Sequence, residues 1–283
     1  MPAANCAMKL LITGGSGYLG RHLLPLALPE HEIIYTWFQH DPLRLAQGCR
    51  LDVRDGAAVT QLAGAFRPQV IIHLAGSNRG DDMGNVIRRG AQNIVAAARA
   101  VNARLIHLST DSIFRGDAAP YDETAAPTPV NPYGRAKADA ETIVQSWPNC
   151  VIIRTSLIYS LAEMDHGTAW MAAALQAGQP VTLFDNQIRN PVWAPSLARA
   201  CLELAAHEFT GILNVAGRQA LSRADFALKM LDWWGIEPRD TLRIGPSTGS
   251  QWPLNCELDL SLAAAVLQTP LPGVDEVISD CKS

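Results

Sequence analysis

The chain has 283 residues, a net charge of −4 and 18% charged residues. A chain of that length buries a large core and sits where single cores begin to divide into two lobes. The absence of a basic stripe or a like-charge run argues against nucleic acid. The most apolar early segment, Leu23 to Leu28, is too short to span a membrane.

Lys9 to Thr13 is an apolar run ending in glycines, the pattern of a buried parallel strand. A helix is expected from Gly17 to Leu28, a second strand at Ile33 to Phe38 and a short third at Cys49 to Asp52. Helix at Ala57 to Phe66, strand at Val70 to Leu74, helix at Val86 to Val101 and strand at Arg104 to Leu108 continue the alternation. A loop follows from Ser112 to Pro132, a length that is usually functional. Asn131 caps and Pro132 opens a helix through Ser146. Val151 to Ile153 is a sixth strand. Helices at Ala169 to Ala177, Ser196 to Ala206 and Ser222 to Trp234 flank a strand at Ile212 to Val215.

This rhythm predicts an α/β fold: a Rossmann-type doubly wound parallel sheet with a smaller C-terminal substrate lobe. The dinucleotide-binding domain is expected over 1–155, with 188–217 returning to it. The substrate lobe is expected from 156–187 and 218–283. The six cysteines (Cys6, Cys49, Cys150, Cys201, Cys256, Cys281) are scattered, without Cys-x-x-Cys pairs. Reduced thiols, a cytoplasmic location and no metal are therefore expected. Met1 to Ala7 has neither the basic nor the apolar region of a signal peptide.

Gly14-Gly15-Ser16-Gly17-Tyr18-Leu19-Gly20 follows the first strand and opens a helix. Such a turn lets the backbone approach a pyrophosphate, and the helix directs its amides at it. NAD enzymes often place an acid at the end of the second strand, to bond the ribose. Thr36 to His40 has none. Arg44, His40 or Arg21 can pair with a 2′-phosphate, so NADP(H) is preferred, with NAD(H) the alternative.

Tyr133 and Lys137 are four residues apart, on one helix face. An ammonium beside a phenol favours the phenolate and lowers its pKa. Such a tyrosine exchanges a proton with a carbonyl oxygen as hydride moves at the carbon. Thr110, at a strand end, can bond the same oxygen.

At these residues the chain resembles the extended short-chain dehydrogenase/reductase superfamily. It resembles most the dTDP-4-dehydrorhamnose reductase branch, in Ser109-Thr110-Asp111-Ser112-Ile113-Phe114, Tyr121-Asp122-Glu123-Thr124, Pro129 to Gly134 and Arg189-Asn190-Pro191-Val192-Trp193. The likeness spans nearly the whole chain. It implies Tyr133 as acid/base and Lys137 as holder of the nicotinamide ribose and tuner of Tyr133. Thr110 would polarise the carbonyl, with Ser109 the alternative hydroxyl. Asp52 and Val53 would approach the adenine, and Leu74, Ala75 and Gly76 the nicotinamide half. Ser77, Arg189, Trp193 and Trp252 are candidate substrate contacts. Arg189 and Arg218 are candidates for a diphosphate, and Arg154, at a strand end, is expected either to bind a phosphate or to pair with a carboxylate.

The chain departs from the branch at Ser160, at Trp252-Pro253 in place of an Arg-Pro pair, and over Ser77 to Asp82. The implied function is reduction of a 4-keto deoxysugar nucleotide by a monomer or homodimer. The alternatives are a nucleotide-sugar epimerase or dehydratase, and a non-catalytic NADP-binding protein like the regulatory β subunit of methionine adenosyltransferase.

Overall fold

Apolar runs such as Leu10-Leu11-Ile12 and Ile71-Ile72 are fully buried, as parallel strands between two helix layers must be. A computed structural model describes residues 7–76 and 80–282. Its first half runs β1 Lys9–Thr13, α1 Tyr18–Ala27, β2 Glu32–Trp37, β3 Gly48–Arg50, α2 Gly56–Phe66, β4 Val70–His73, α3 Met83–Val101, β5 Arg104–Leu108, α4 Pro132–Gln145 and β6 Cys150–Arg154. The second half runs β7 Ile158–Tyr159, α5 His166–Gln176, β8 Val181–Phe184, β9 Ile188–Arg189, β10 Val192–Trp193, α6 Ala194–Ala206, β11 Gly211–Asn214, β12 Leu221–Ser222, α7 Arg223–Trp233, β13 Leu242–Gly245, α8 Ser261–Val266 and α9 Val274–Lys282.

The central sheet has seven strands in the order β11-β6-β5-β4-β1-β2-β3. Every pairing in it is parallel. Its order reverses between β4 and β1, where Thr13 is in register with His73. The crevice beyond these strand ends is where such sheets bind ligands. α1 and α6 share one core with the sheet; α2, α3 and α4 share the other.

β8 and β13 form a separate parallel pair, packed with α5 and α7 around Leu175, Leu183 and Leu231. The sequence reading omitted this pair, the two-residue strands, α8 and α9. Two-residue strands are too short to show a period, and α9 buries only Val274 and Val277.

The loop before α4 is held from within. The Tyr121 hydroxyl accepts from the Gly116, Asp117 and Ala118 amides at 3.1, 3.0 and 3.0 Å. Its ring stacks on Phe114 with centroids 4.0 Å apart. Among the described residues no helix is long and apolar enough to cross a membrane.

Candidate active site

The glycine turn closes against the end of β4. Gly14 has φ +73°, and a Cβ there would lie 2.8 Å from the Ala75 backbone. Gly17 caps α1 without any side-chain bond, and the first turn of α1 holds no acid. Its leading amides thus suit a pyrophosphate, so the cradle fits a dinucleotide. The Gly15 amide is anchored on the Thr36 carbonyl at 3.0 Å, and Ser16 Oγ donates to the His40 carbonyl at 3.0 Å. Leu19 is buried at the base of α1, while Gly20 packs directly on Gly15.

Asp41, the nearest acid after β2, is occupied by the Tyr35 hydroxyl at 2.9 Å and the Leu43 amide at 3.2 Å. Arg44 is exposed and has φ +51°. Arg21 pairs with Glu163 at 3.0 Å, and Tyr18 Oη donates to the Glu163 carbonyl at 3.1 Å. The loop before α5 therefore straps the start of α1. Asp52 pairs with Arg54 at 2.6 Å, and the buried Val53 offers its carbonyl to Asn93 at 2.9 Å.

Asn131 caps α4 by accepting from the Gly134 amide at 2.8 Å. Gly134 lets α4 press on the segment after β5: a Cβ there would lie 2.2 Å from the Ser112 carbonyl oxygen. That approach brings Tyr133 beside Thr110, whose hydroxyl lowers the pKa of the phenol. Lys137 is buried, and its Nζ donates to the Leu108 carbonyl at 2.9 Å. A Cβ at Gly76 would lie 3.5 Å from the same Nζ, so Lys137 reaches the loop after β4.

Burial pushes the Tyr133 phenol up to about 12, while the neighbouring Thr110 hydroxyl lowers it and the Asp111 charge raises it. The expected depression by Lys137 is not found; burial dominates and keeps the phenol protonated. Burial also brings the Lys137 ammonium down to about 8, against the pull of Glu141.

The two candidate hydroxyls are separated by their partners. Ser109 Oγ donates to Glu141 Oε1 at 2.5 Å, inside the core. Thr110 Oγ1 donates to Asp111 Oδ1 at 3.3 Å and accepts from the Ser112 amide at 3.2 Å, on the Tyr133 side. Asp111, next along, accepts from Ser156 Oγ at 2.6 Å and lies 3.6 Å from Arg189 Nε.

Below them His73 Nδ1 meets Thr13 Oγ1 at 2.6 Å, and burial lowers its pKa to about 3. His107, buried beside His73, has no partner for either ring nitrogen among the described residues.

The candidate substrate contacts diverge. Arg189 is buried, and its Nη atoms donate to the Ile188, Pro253 and Leu254 carbonyls at 2.5–2.9 Å. Its guanidinium is thus committed to the chain itself. Trp193 packs beside Tyr159, Phe226 and Met230. Trp252 is exposed on the wall of a cavity of about 290 Å³, with Arg115, Val130 and Leu254. Ser77 lies outside the described residues.

Arg154 is locked to Glu141 at 2.8 Å inside the protein, and Arg218 pairs with Glu276 at 2.8 Å on the surface. Sequence reasoning missed Glu141, although it stands four residues after Lys137 and eight after Tyr133 on the same helix face.

Relatives carry two kinds of name. A dTDP-4-keto-6-deoxy-D-glucose reductase of Streptomyces niveus is 29% identical, covering 81% of this chain and 80% of its own. Methionine adenosyltransferase 2 subunit beta of Rattus norvegicus is 28% identical, covering 89% and 80%. The crystal structure of a hypothetical dTDP-4-dehydrorhamnose reductase from Sulfolobus tokodaii superposes with a TM-score of 0.82 at 29% identity, covering 95% of this chain and 98% of that one. The family model described as the RmlD substrate binding domain matches residues 8–281. With that match over nearly its whole length, the chain belongs to the RmlD substrate binding domain family.

Proposed function

We propose that the chain is an NADP(H)-dependent reductase of a 4-keto deoxysugar nucleotide. The observation that carries this reading is the Tyr133 phenol, kept protonated by burial, on the helix face that also carries the buried Lys137 and beside the Thr110 hydroxyl. When bound, the nicotinamide supplies the hydride. Thr110 and Tyr133 bond the substrate carbonyl oxygen, and Tyr133 gives it the phenolic proton, so ketone becomes alcohol. Lys137 holds the nicotinamide ribose near Gly76 and Leu108. Gly14 to Gly20, with Ala75, cradle the pyrophosphate.

The occupied Asp41 leaves the end of β2 open to a 2′-phosphate, with Arg44 exposed nearby. A dissociation constant for NADPH well below that for NADH is expected; tighter NADH would overturn the preference. We also place the protein in the cytoplasm, as a monomer or homodimer, and assign Trp252 and Ser77 to the substrate side.

The likeness to the methionine adenosyltransferase subunit favours a second reading, a binding protein without turnover. Mixing the protein with NADPH and dTDP-4-dehydro-6-deoxy-L-mannose decides between them. Loss of nicotinamide absorbance supports the reductase. NADPH binding without turnover on any sugar nucleotide supports the second reading.

A further inference from the structure

Arg189 and Arg218, expected to reach a diphosphate, have partners within the chain, and Arg154 takes the carboxylate of its two expected partners. A fourth, Arg223, was not singled out from the sequence. It follows β12, and its amide is tied to the Gln187 carbonyl at 2.8 Å. Its side chain is half-buried. No hydrogen bond or ion pair engages its guanidinium among the described residues. The charges that act on it are Arg189, Asp111 and Asp165.

Those neighbours locate it. Asp111 adjoins Thr110 and already serves Arg189, Ser112 and Ser156. Asp165 is held by the Gly167 and Thr168 amides at 2.8 and 3.1 Å as the cap of α5. Neither carboxylate is within ion-pair distance of Arg223. Arg223 thus shares its surroundings with the Arg189 guanidinium and the Asp111 and Asp165 carboxylates, and Asp111 is one step along the chain from the candidate catalytic threonine. Gln187, beside Arg223, is fully buried, and both polar atoms of its side chain also lack a partner among the described residues. A guanidinium partly withdrawn from water and lacking a protein acceptor gains from one that a ligand supplies. Its planar fork matches two phosphate oxygens.

We infer that Arg223 is the specificity-determining contact for the diphosphate bridge of the nucleotide-sugar substrate. The inference rests on the reductase reading, because that substrate class carries a diphosphate between base and sugar. Arg189 then has a positioning role: it fixes Asp111 and the 253–254 backbone, and leaves Arg223 to meet the anion.

The test is a titration of wild type, Arg223→Met and Arg223→Lys with dTDP, UDP and thymidine, each at saturating NADP⁺. Arg223→Met is expected to weaken the nucleoside diphosphates by about 10- to 100-fold, the range for a charged hydrogen bond. Thymidine binding and the NADPH dissociation constant should stay within about twofold, and Arg223→Lys should recover part of the loss. In turnover the change should fall on KM, with kcat nearly unaltered. Retained NADPH binding shows that the variants are folded; if Arg223→Met does not fold, Arg223→Lys and Arg223→Gln carry the comparison. Equal dTDP binding by wild type and Arg223→Met overturns the assignment, as does a loss confined to NADPH. A wild type that binds neither dTDP nor UDP overturns the reductase reading itself, a distinct failure.

Discussion

Glu141 and Arg154 form an ion pair at 2.8 Å with both side chains buried, one helical turn beyond Lys137. The same carboxylate takes the Ser109 hydroxyl, and Arg154 lies over the Phe114 ring at 5.2 Å. One buried network therefore links α4, β6 and the segment that carries Thr110. Removing one partner leaves an uncompensated buried charge. Glu141→Gln is expected to lower the unfolding free energy by about 3–5 kcal/mol, read from denaturant midpoints. A loss below about 1 kcal/mol would show that the pair is not a structural hub.

The division between Ser109 and Thr110 can be read separately. Thr110→Val should lower kcat by about 10²-fold, because its hydroxyl lies beside Tyr133 and the substrate oxygen, and should cost about 1 kcal/mol of stability through the Ser112 amide that it caps. Ser109→Ala should cost about 1–3 kcal/mol of stability through the unpaired Glu141 oxygen, with a much smaller effect on kcat. The opposite pattern would exchange their roles.

Gly134→Ala tests the seating of α4. The added methyl meets the Ser112 carbonyl, so α4 must shift away from the segment after β5. Overpacking of this kind costs about 1–3 kcal/mol. A displacement near 1 Å between Tyr133 and Thr110 should cost about 10²-fold in kcat. Turnover and a melting curve for one variant check both.

Much of this was legible in the sequence, and the limits have physical causes. The alternating apolar runs placed all seven strands of the central sheet to within a few residues, because parallel strands are apolar on both faces. Asn131-Pro132 marked the start of α4 through its capping chemistry. The resemblance named Thr110 ahead of Ser109, but the residues alone do not separate them, since they are neighbours and only the pleat sends Ser109 to Glu141 in the core. The Tyr133 pKa was misjudged for a related reason: spacing reports the nearby ammonium but not the burial that outweighs it. Arg189 and Arg223 look alike in a sequence; the 253–254 carbonyls that occupy one of them come from a distant segment.

Lys137 gives opposite pH trends for activity and stability. Its folded pKa, about 8, lies below the ordinary 10.5. Below pH 8 both folded and unfolded chains hold the proton, and burial of the ammonium costs about 3 kcal/mol in full. Between pH 8 and 10.5 the unfolded chain binds more protons, so this residue's contribution to stability rises with pH. Activity that needs the ammonium should fall over the same window. A pH–rate profile and denaturant midpoints, with Lys137→Met lacking both trends, would check this.

The central claim is that Tyr133 delivers the proton to a sugar-nucleotide ketone. The most direct measurement is NADPH oxidation with dTDP-4-dehydro-6-deoxy-L-mannose by wild type and Tyr133→Phe at pH 7. The account predicts steady turnover by wild type and a loss of about 10²- to 10⁴-fold in Tyr133→Phe, with the NADPH dissociation constant little changed. Undiminished turnover in Tyr133→Phe would contradict it.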